Sequence, residues 1–226
     1  MANKNRTLAL LLGSVFLLSA SAVFFAALYF SNSPPLISGV IIPNSQALKN
    51  FSLLTHKNEK FTNQNLQGNW HIIAYGYTDC PDICPTTLAR LAQVEKKILA
   101  SEKYTNVKFL FYTIDPQRDT VEKLATYIPF FSSNFTGLTL TETSLGHVPF
   151  EMSLGLQILL SPLPDDIKSY KRYSVSHGVM LYVLNANGEL QAILKPDVDI
   201  QGAQSFTSEK VYRDYYALRK YFGGKA

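Results

Sequence analysis

Cysteine is scarce in this 226-residue chain: Cys80 and Cys84 are the only two. That excludes a multi-bridge secreted scaffold and any metal site built from three or four thiolates. Whatever they do, they do as a pair. Charge is thin as well, at 17% of residues, and Lys+Arg at 21 against Asp+Glu at 17 leaves a net charge of only +4. The basic residues are spread out apart from short pairs such as Lys96-Lys97 and Lys171-Arg172, so the sequence lacks the footprint of a nucleic-acid binder. No internal repeat and no low-complexity segment is present. Against these absences stand 46% hydrophobic residues, 13 Tyr and 14 Phe, too apolar and aromatic a mixture for a disordered chain. The length suits one packed domain with an appendage.

Between Arg6 and Lys49 there is no charged residue, and the run from Thr7 to Phe30 is almost wholly apolar. As a helix its 24 residues reach about 36 Å against a hydrocarbon core of roughly 30 Å. The expectation is a transmembrane anchor over 7–30, with residues 1–6 cytoplasmic because Lys4 and Arg6 flank only that side. Ala20-Ser21-Ala22 resembles a signal-peptide cleavage site. The apolar run continues through Phe30, however, which a cleaved peptide does not need. No cysteine lies near the N-terminus, which rules out a lipoprotein. Residues 31–49, with Pro34-Pro35, read as an extended linker, and 50–226 as the folded domain.

Within that domain Trp70 to Tyr77 and Val107 to Ile114 are short β-branched and aromatic runs that read as buried strands. Each is followed by a helix. The first starts at Pro85 and carries Leu88, Leu91, Val94 and Ile98 at helical spacing; the second runs from about Thr120 to Tyr127. Gly137 to Thr141 reads as a strand, Thr143 to Gly155 as a helix and Leu156 to Leu160 as a strand. Gly178 to Leu184, the turn Asn185 to Gly188 and Glu189 to Leu194 read as a hairpin. Phe206 to Phe222 is an amphipathic helix. The alternation predicts an α/β layered sheet of mixed strand direction flanked by helices.

Cys80-Pro81-Asp82-Ile83-Cys84-Pro85 places two thiols at a strand-to-helix turn, where backbone N–H groups and the helix dipole lower thiol pKa values. A thiolate is both the nucleophile of disulfide exchange and a soft ligand for Cu(I). A structural disulfide fits poorly, since a bridge between i and i+4 closes a very short loop. Copper bound by two thiolates lacks a third ligand, and His56, His71, His147 and His177 are the candidates. His71 lies inside a buried strand, His56 in a polar stretch that reads as an exposed turn, and His147 on the helix near Gly146. His177 precedes a buried strand beside Gly178 and is placed to project from a sheet end. Asp115, Arg118 and Asp119 follow a strand end, where they read either as a charged pocket rim near the cysteine turn or as a helix cap, Asp119, and a local Arg–Asp pair, with no catalytic role assigned.

Gly76 to Pro85 (GYTDCPDICP), then Thr113 to Thr120 (TIDPQRDT), then Ser176 to Leu184 (SHGVMLYVL) resemble the Sco/SenC family in order and spacing, over about Asn50 to Phe222. The resemblance implies a thioredoxin-like fold behind one N-terminal transmembrane helix, and copper, as Cu(I) or Cu(II), bound by Cys80, Cys84 and His177. It further implies a metallochaperone, without turnover, that delivers copper to the CuA site of cytochrome c oxidase during assembly. The implied partners are the oxidase subunit carrying that site and other copper chaperones. The alternative is an extracytoplasmic thiol–disulfide reductase in which Cys80 and Cys84 form the redox pair; a peroxidase has no residue in its support. The expected location is a bacterial inner membrane with the domain in the periplasm, because the N-terminus lacks an Arg-rich transit segment. The chain departs from the family's usual residues at Asp79, beside the cysteines, and at Ser176, before the histidine. A carboxylate at 79 is expected to raise thiol pKa. The stretch 161–176 reads as a surface loop able to contact a partner.

Overall fold

The structure, a computed structural model, describes residues 2–31, 33–140, 145–162 and 173–223. Contacts divide the chain into two units, one of residues 37–216 and one of residues 1–36 with 217–226. In order, the elements are α1 (Ala2–Ser31), β1 (Gly39–Ala47), β2 (Ser52–Thr55), β3 (Lys60–Thr62), β4 (Trp70–Gly76), α2 (Ile83–Ser101), β5 (Val107–Thr113), α3 (Val121–Tyr127), β6 (Phe135–Thr139), α4 (Val148–Leu154), β7 (Ile158–Pro162), β8 (Tyr173–His177), β9 (Leu181–Leu184), β10 (Glu189–Leu194) and α5 (Ser208–Gly223).

Eight strands form one sheet in the order β1-β10-β9-β4-β5-β6-β2-β3. Its centre, β4-β5-β6, is parallel, and the remaining neighbours are antiparallel. Every residue of β4 is buried, as parallel strands covered on both faces require. One face of β4 and β5 gives Ile73, Tyr75, Leu110 and Tyr112 to a core shared with Phe51, Phe61 and Phe150. α2 turns inward Cys84, Leu88, Leu91, Val94 and Ile98, the helical stripe that the sequence predicts. Leu99 is exposed.

Expected and observed elements coincide closely for β4, β5, α3, the β9–β10 hairpin and α5. α2 begins at Ile83, two residues ahead of Pro85, so Cys84 lies inside its first turn. The helix expected from Thr143 is a short 3-10 turn, Leu145–His147, followed by α4; residues 141–144 lie outside the described set.

Two expectations are corrected. Residues 39–47, taken as part of a linker, form β1, which pairs with β10 at the sheet edge. The register breaks between Ile41 and Gln46, around Pro43, and the Gln191 side chain donates to the Ile42 carbonyl at 2.6 Å within the bulge. Proline and a mostly exposed, mixed pattern conceal such a strand from period-2 reading. The strand expected over 156–160 is present as β7, and the stretch 161–176 is in part strand rather than loop: β8 lies mostly within it and pairs with β7 in a separate two-stranded sheet ending in the pair Ile158 and His177. Residues 163–172 lie outside the described set. Among the described residues no helix is long and apolar enough to cross a membrane. In α1 the described side chains are those of residues 10 and 12–25.

Candidate metal and thiol site

β4 ends at Gly76, and residues 77–82 carry the chain across its C-terminal end into α2. A Cβ on Gly76 would stand 2.5 Å from the Cys84 sulfur, so the bare backbone is what lets the first turn of α2 sit down on the strand. Both thiols are free and buried. Their environments differ in sign. The Cys80 thiol is pulled down to about 5, first by the hydrogen bond it receives from Cys84 and then by the N–H groups of Asp82 and Cys84 and the His177 imidazole, against the cost of burial. Cys84 is pushed upward, because it holds the shared proton and is desolvated. At neutral pH the pair is thus one thiolate and one thiol. The expectation that the turn lowers both pKa values is corrected: a single proton shared by adjacent sulfurs dominates over the helix dipole.

The loop is tied down from below. Asp119, fully buried, accepts from the Thr78 N–H at 2.8 Å, the Thr78 hydroxyl at 2.5 Å and the Thr113 hydroxyl at 2.7 Å. It therefore clamps the cysteine loop instead of capping α3, whose cap is Thr120, accepting from the Lys123 N–H. Asp79 is paired with Lys123 Nζ at 2.9 Å, and Asp79 is not among the principal influences on either thiol. The Cys80 pKa is lowered rather than raised, first by the hydrogen bond from Cys84, and the Asp79 carboxylate is paired with an ammonium.

His177 ends β8. Its ring packs beside Tyr75, centroids 5.2 Å apart, and Tyr77, 6.1 Å. Nδ1 lies 2.6 Å from the Gly178 carbonyl, which as acceptor fixes the proton on Nδ1 and leaves the Nε2 lone pair available. His177, Cys84, Tyr75 and Met180 line one small cavity of about 10 Å³, room for about one water-sized guest. Among the described residues no three metal-binding side chains stand close enough to hold an ion, so the imidazole and the Cys84 thiol share a cavity without being gathered with Cys80 into a finished coordination shell.

The other histidines are elsewhere. His71 is buried at the start of β4, its pKa lowered to about 4 chiefly by burial. His56 is also buried, contrary to the exposed turn expected; its Nδ1 accepts from the Gly137 N–H at 3.0 Å. His147 closes the 3-10 turn before α4. Three participants escaped sequence reading. Tyr77 and Lys123 sit within or near the motifs, but their partners are set by the fold. Tyr173, in the stretch without legible chemistry, donates to Asp115 at 2.5 Å and lies under the Arg118 guanidinium.

The SCO1/SenC family profile matches residues 41–209, most of the chain and all of this site. The chain belongs to the SCO1/SenC family. A Stutzerimonas stutzeri protein with a copper-binding designation is 30% identical over 165 residues, 73% of this chain and 77% of that one. The human mitochondrial SCO1 homolog is 35% identical over 139 residues, 62% of this chain and 44% of that protein, so the match spans less than half of that relative's length. The SCO1/SenC fold is shared with the crystal structure of Arabidopsis thaliana ScoI with copper bound: TM-score 0.63, 23% identity, 78% of this chain and 98% of that one. It is shared too with BsSco, described as a member of the Sco family of cytochrome c oxidase assembly proteins: TM-score 0.56, 16% identity, 79% and 96% covered. The layered sheet and flanking helices are therefore the thioredoxin-like arrangement of Sco proteins.

Proposed function

We propose that this SCO1/SenC protein is a membrane-anchored chaperone whose cargo is copper, delivered to the CuA site of cytochrome c oxidase during assembly. The observation that carries the reading is that His177, with a free Nε2, lines the same cavity as Cys84, next to a Cys80 held as thiolate. Two sulfurs and one imidazole nitrogen are a soft donor set that suits Cu(I). Cys80, Cys84 and His177 are the ligands in this reading, and a copper-bound structure of the same fold and a relative with a copper-binding designation support it. Because the three groups are not clustered beforehand, loading requires a short approach of β8 toward the cysteine loop. The α1 helix supports the anchor: Leu12, Phe16, Leu17, Phe24 and Phe25 are exposed, an apolar surface that suits lipid. The domain then faces the periplasm of an inner membrane, where the oxidase subunit and other copper chaperones are its partners.

Anaerobic Cu(I) titration tests the reading. One ion per chain is expected, lost in His177→Ala and in the double variant Cys80→Ser, Cys84→Ser; undiminished affinity in His177→Ala overturns the ligand set. The thiol asymmetry favours a second activity, thiol–disulfide exchange. The Cys80 thiolate attacks a partner disulfide to form a mixed disulfide. Cys84 then resolves it, leaving the partner dithiol reduced and the Cys80–Cys84 disulfide oxidised. Retained reduction of a disulfide-bonded CuA domain by His177→Ala separates this from copper transfer, since the imidazole is not a reactant in the exchange and is the smallest of the influences named on the Cys80 thiol.

A further inference from the structure

The turn between β5 and α3 touches both halves of the site. On one side Asp119 holds Thr78, two residues before Cys80, through two hydrogen bonds. On the other, Asp115 and Arg118 hold Tyr173, four residues before His177. The Tyr173 hydroxyl donates to Asp115 at 2.5 Å, Arg118 donates to the Tyr173 carbonyl at 3.3 Å, and its guanidinium lies 4.2 Å from the Tyr173 ring centroid. The same guanidinium pairs with Asp115 and reaches the Tyr77 ring at 5.9 Å. Asp115 is 2% exposed, so its charge-assisted hydrogen bonds are shielded from water and strong, while Arg118 and Tyr173 stack at a half-buried position.

The β7–β8 pair shares no strand pairing with the eight-stranded sheet among the described residues. Its position beside the cysteine loop therefore depends on the short link of residues 178–180 to β9 and on side chains. Residues 173, 175 and 177 share one face of β8, because side chains alternate along a strand. Tyr173 meets Arg118, Val175 is packed against the core, and His177 meets Tyr75 and Tyr77. We propose that residues 115–119 form a clasp that sets the spacing between the thiols and the imidazole, with Arg118 as the positioning residue that holds β8, and His177 with it, beside the cysteine loop. Arg118 needs no contact with the cargo to do this. A lysine is a poor substitute, since it lacks the planar fork that bonds a carboxylate and a carbonyl while stacking on a ring.

Where it concerns copper, the proposal rests on the ligand set proposed above; where it concerns β8, it does not. Amide hydrogen exchange on the full chain without copper is the first test. Exchange at residues 174–177 is expected to accelerate about tenfold in Arg118→Met and in Tyr173→Leu. Tyr173→Trp, which keeps an aromatic face for the guanidinium but loses the hydroxyl bonded to Asp115, is expected to fall between Tyr173→Leu and the unmutated rate. Tyr173 is not part of the hydrophobic core, so its variants keep the fold, and unchanged Cys80 alkylation in Tyr173→Leu checks that the cysteine loop is intact. Cu(I) release is then expected to be about tenfold faster in Tyr173→Leu, with no additional effect when His177→Ala is already present. Unchanged exchange in both disrupting variants, or Tyr173→Trp behaving like Tyr173→Leu, overturns the clasp. Copper binding indifferent to His177→Ala overturns the ligand set instead, and the exchange rates then decide for or against the clasp by themselves.

Discussion

The absent side chain at Gly76 governs how closely the Cys84 sulfur approaches the end of β4. Gly76→Ala places a Cβ where only 2.5 Å is free, so the thiol or the first turn of α2 must move. The expected cost is about 1–3 kcal/mol of stability, together with loss of the sulfur–sulfur hydrogen bond. Urea unfolding checks the first, and the pH profile of alkylation the second. In the unmutated protein alkylation of Cys80 is expected to reach half its maximal rate near pH 5, with Cys84 silent at neutral pH. Cys84→Ala removes the donor that stabilises the thiolate, and the half-point of Cys80 moves upward; a half-point that stays put refutes the shared-proton account. At this scale much was legible. Two thiols at a helix mouth and a histidine beside a glycine are sequence patterns with chemistry attached. Their inequality was not legible, because it depends on which sulfur donates to the other. Nor was the pairing of Asp79 with Lys123, which reaches back 44 positions at 2.9 Å.

β4 carries a titratable group at each of two depths, and only one belongs to the site. His71, at the strand's start, is neutral in the fold with a pKa of about 4, against 6.5 for the ordinary imidazole. The unfolded chain therefore binds the extra proton first. Stability falls as pH drops from about 6.5 toward 4, and the loss levels off below that at about 3 kcal/mol for this group. His56, also lowered chiefly by burial, adds in the same direction. His71→Gln is expected to flatten the dependence, measured by urea unfolding at neutral and mildly acid pH; an unchanged slope removes His71 as its source. The element pattern also explains what was readable. Buried strands such as β4 and β5 announce themselves by continuous apolar runs, and α2 by its stripe. β1 does not, since it lies at an edge with a proline in a bulge. β7 shows itself as an apolar run, read two residues early at 156–160, but β8 does not, because its five residues offer Val175 as their single aliphatic side chain. His56 was misread because the partner that buries it, Gly137, is 81 residues away.

At the scale of the whole molecule, the fold follows from the alternation of buried strands and helices, while the function rests on a site drawn from three distant segments. The N-terminal segment adds a separate expectation. Deleting residues 1–31 is expected to move the protein from the membrane to the soluble fraction, checked by fractionation, and retention in the membrane fraction argues for another means of attachment. In the proposed anchored form, chains would be crowded into two dimensions, and among the described residues the eight-stranded sheet has two margins by which neighbours can pair. Here one margin is β3, only three residues long. The other is β1, whose ladder is broken between Ile41 and Gln46 and whose Pro43 has no N–H to offer. A neighbouring chain that tried to extend the sheet would find too few consecutive bonds at either side. The bulge that made β1 hard to read is thus also a safeguard against aggregation among molecules held at high surface density.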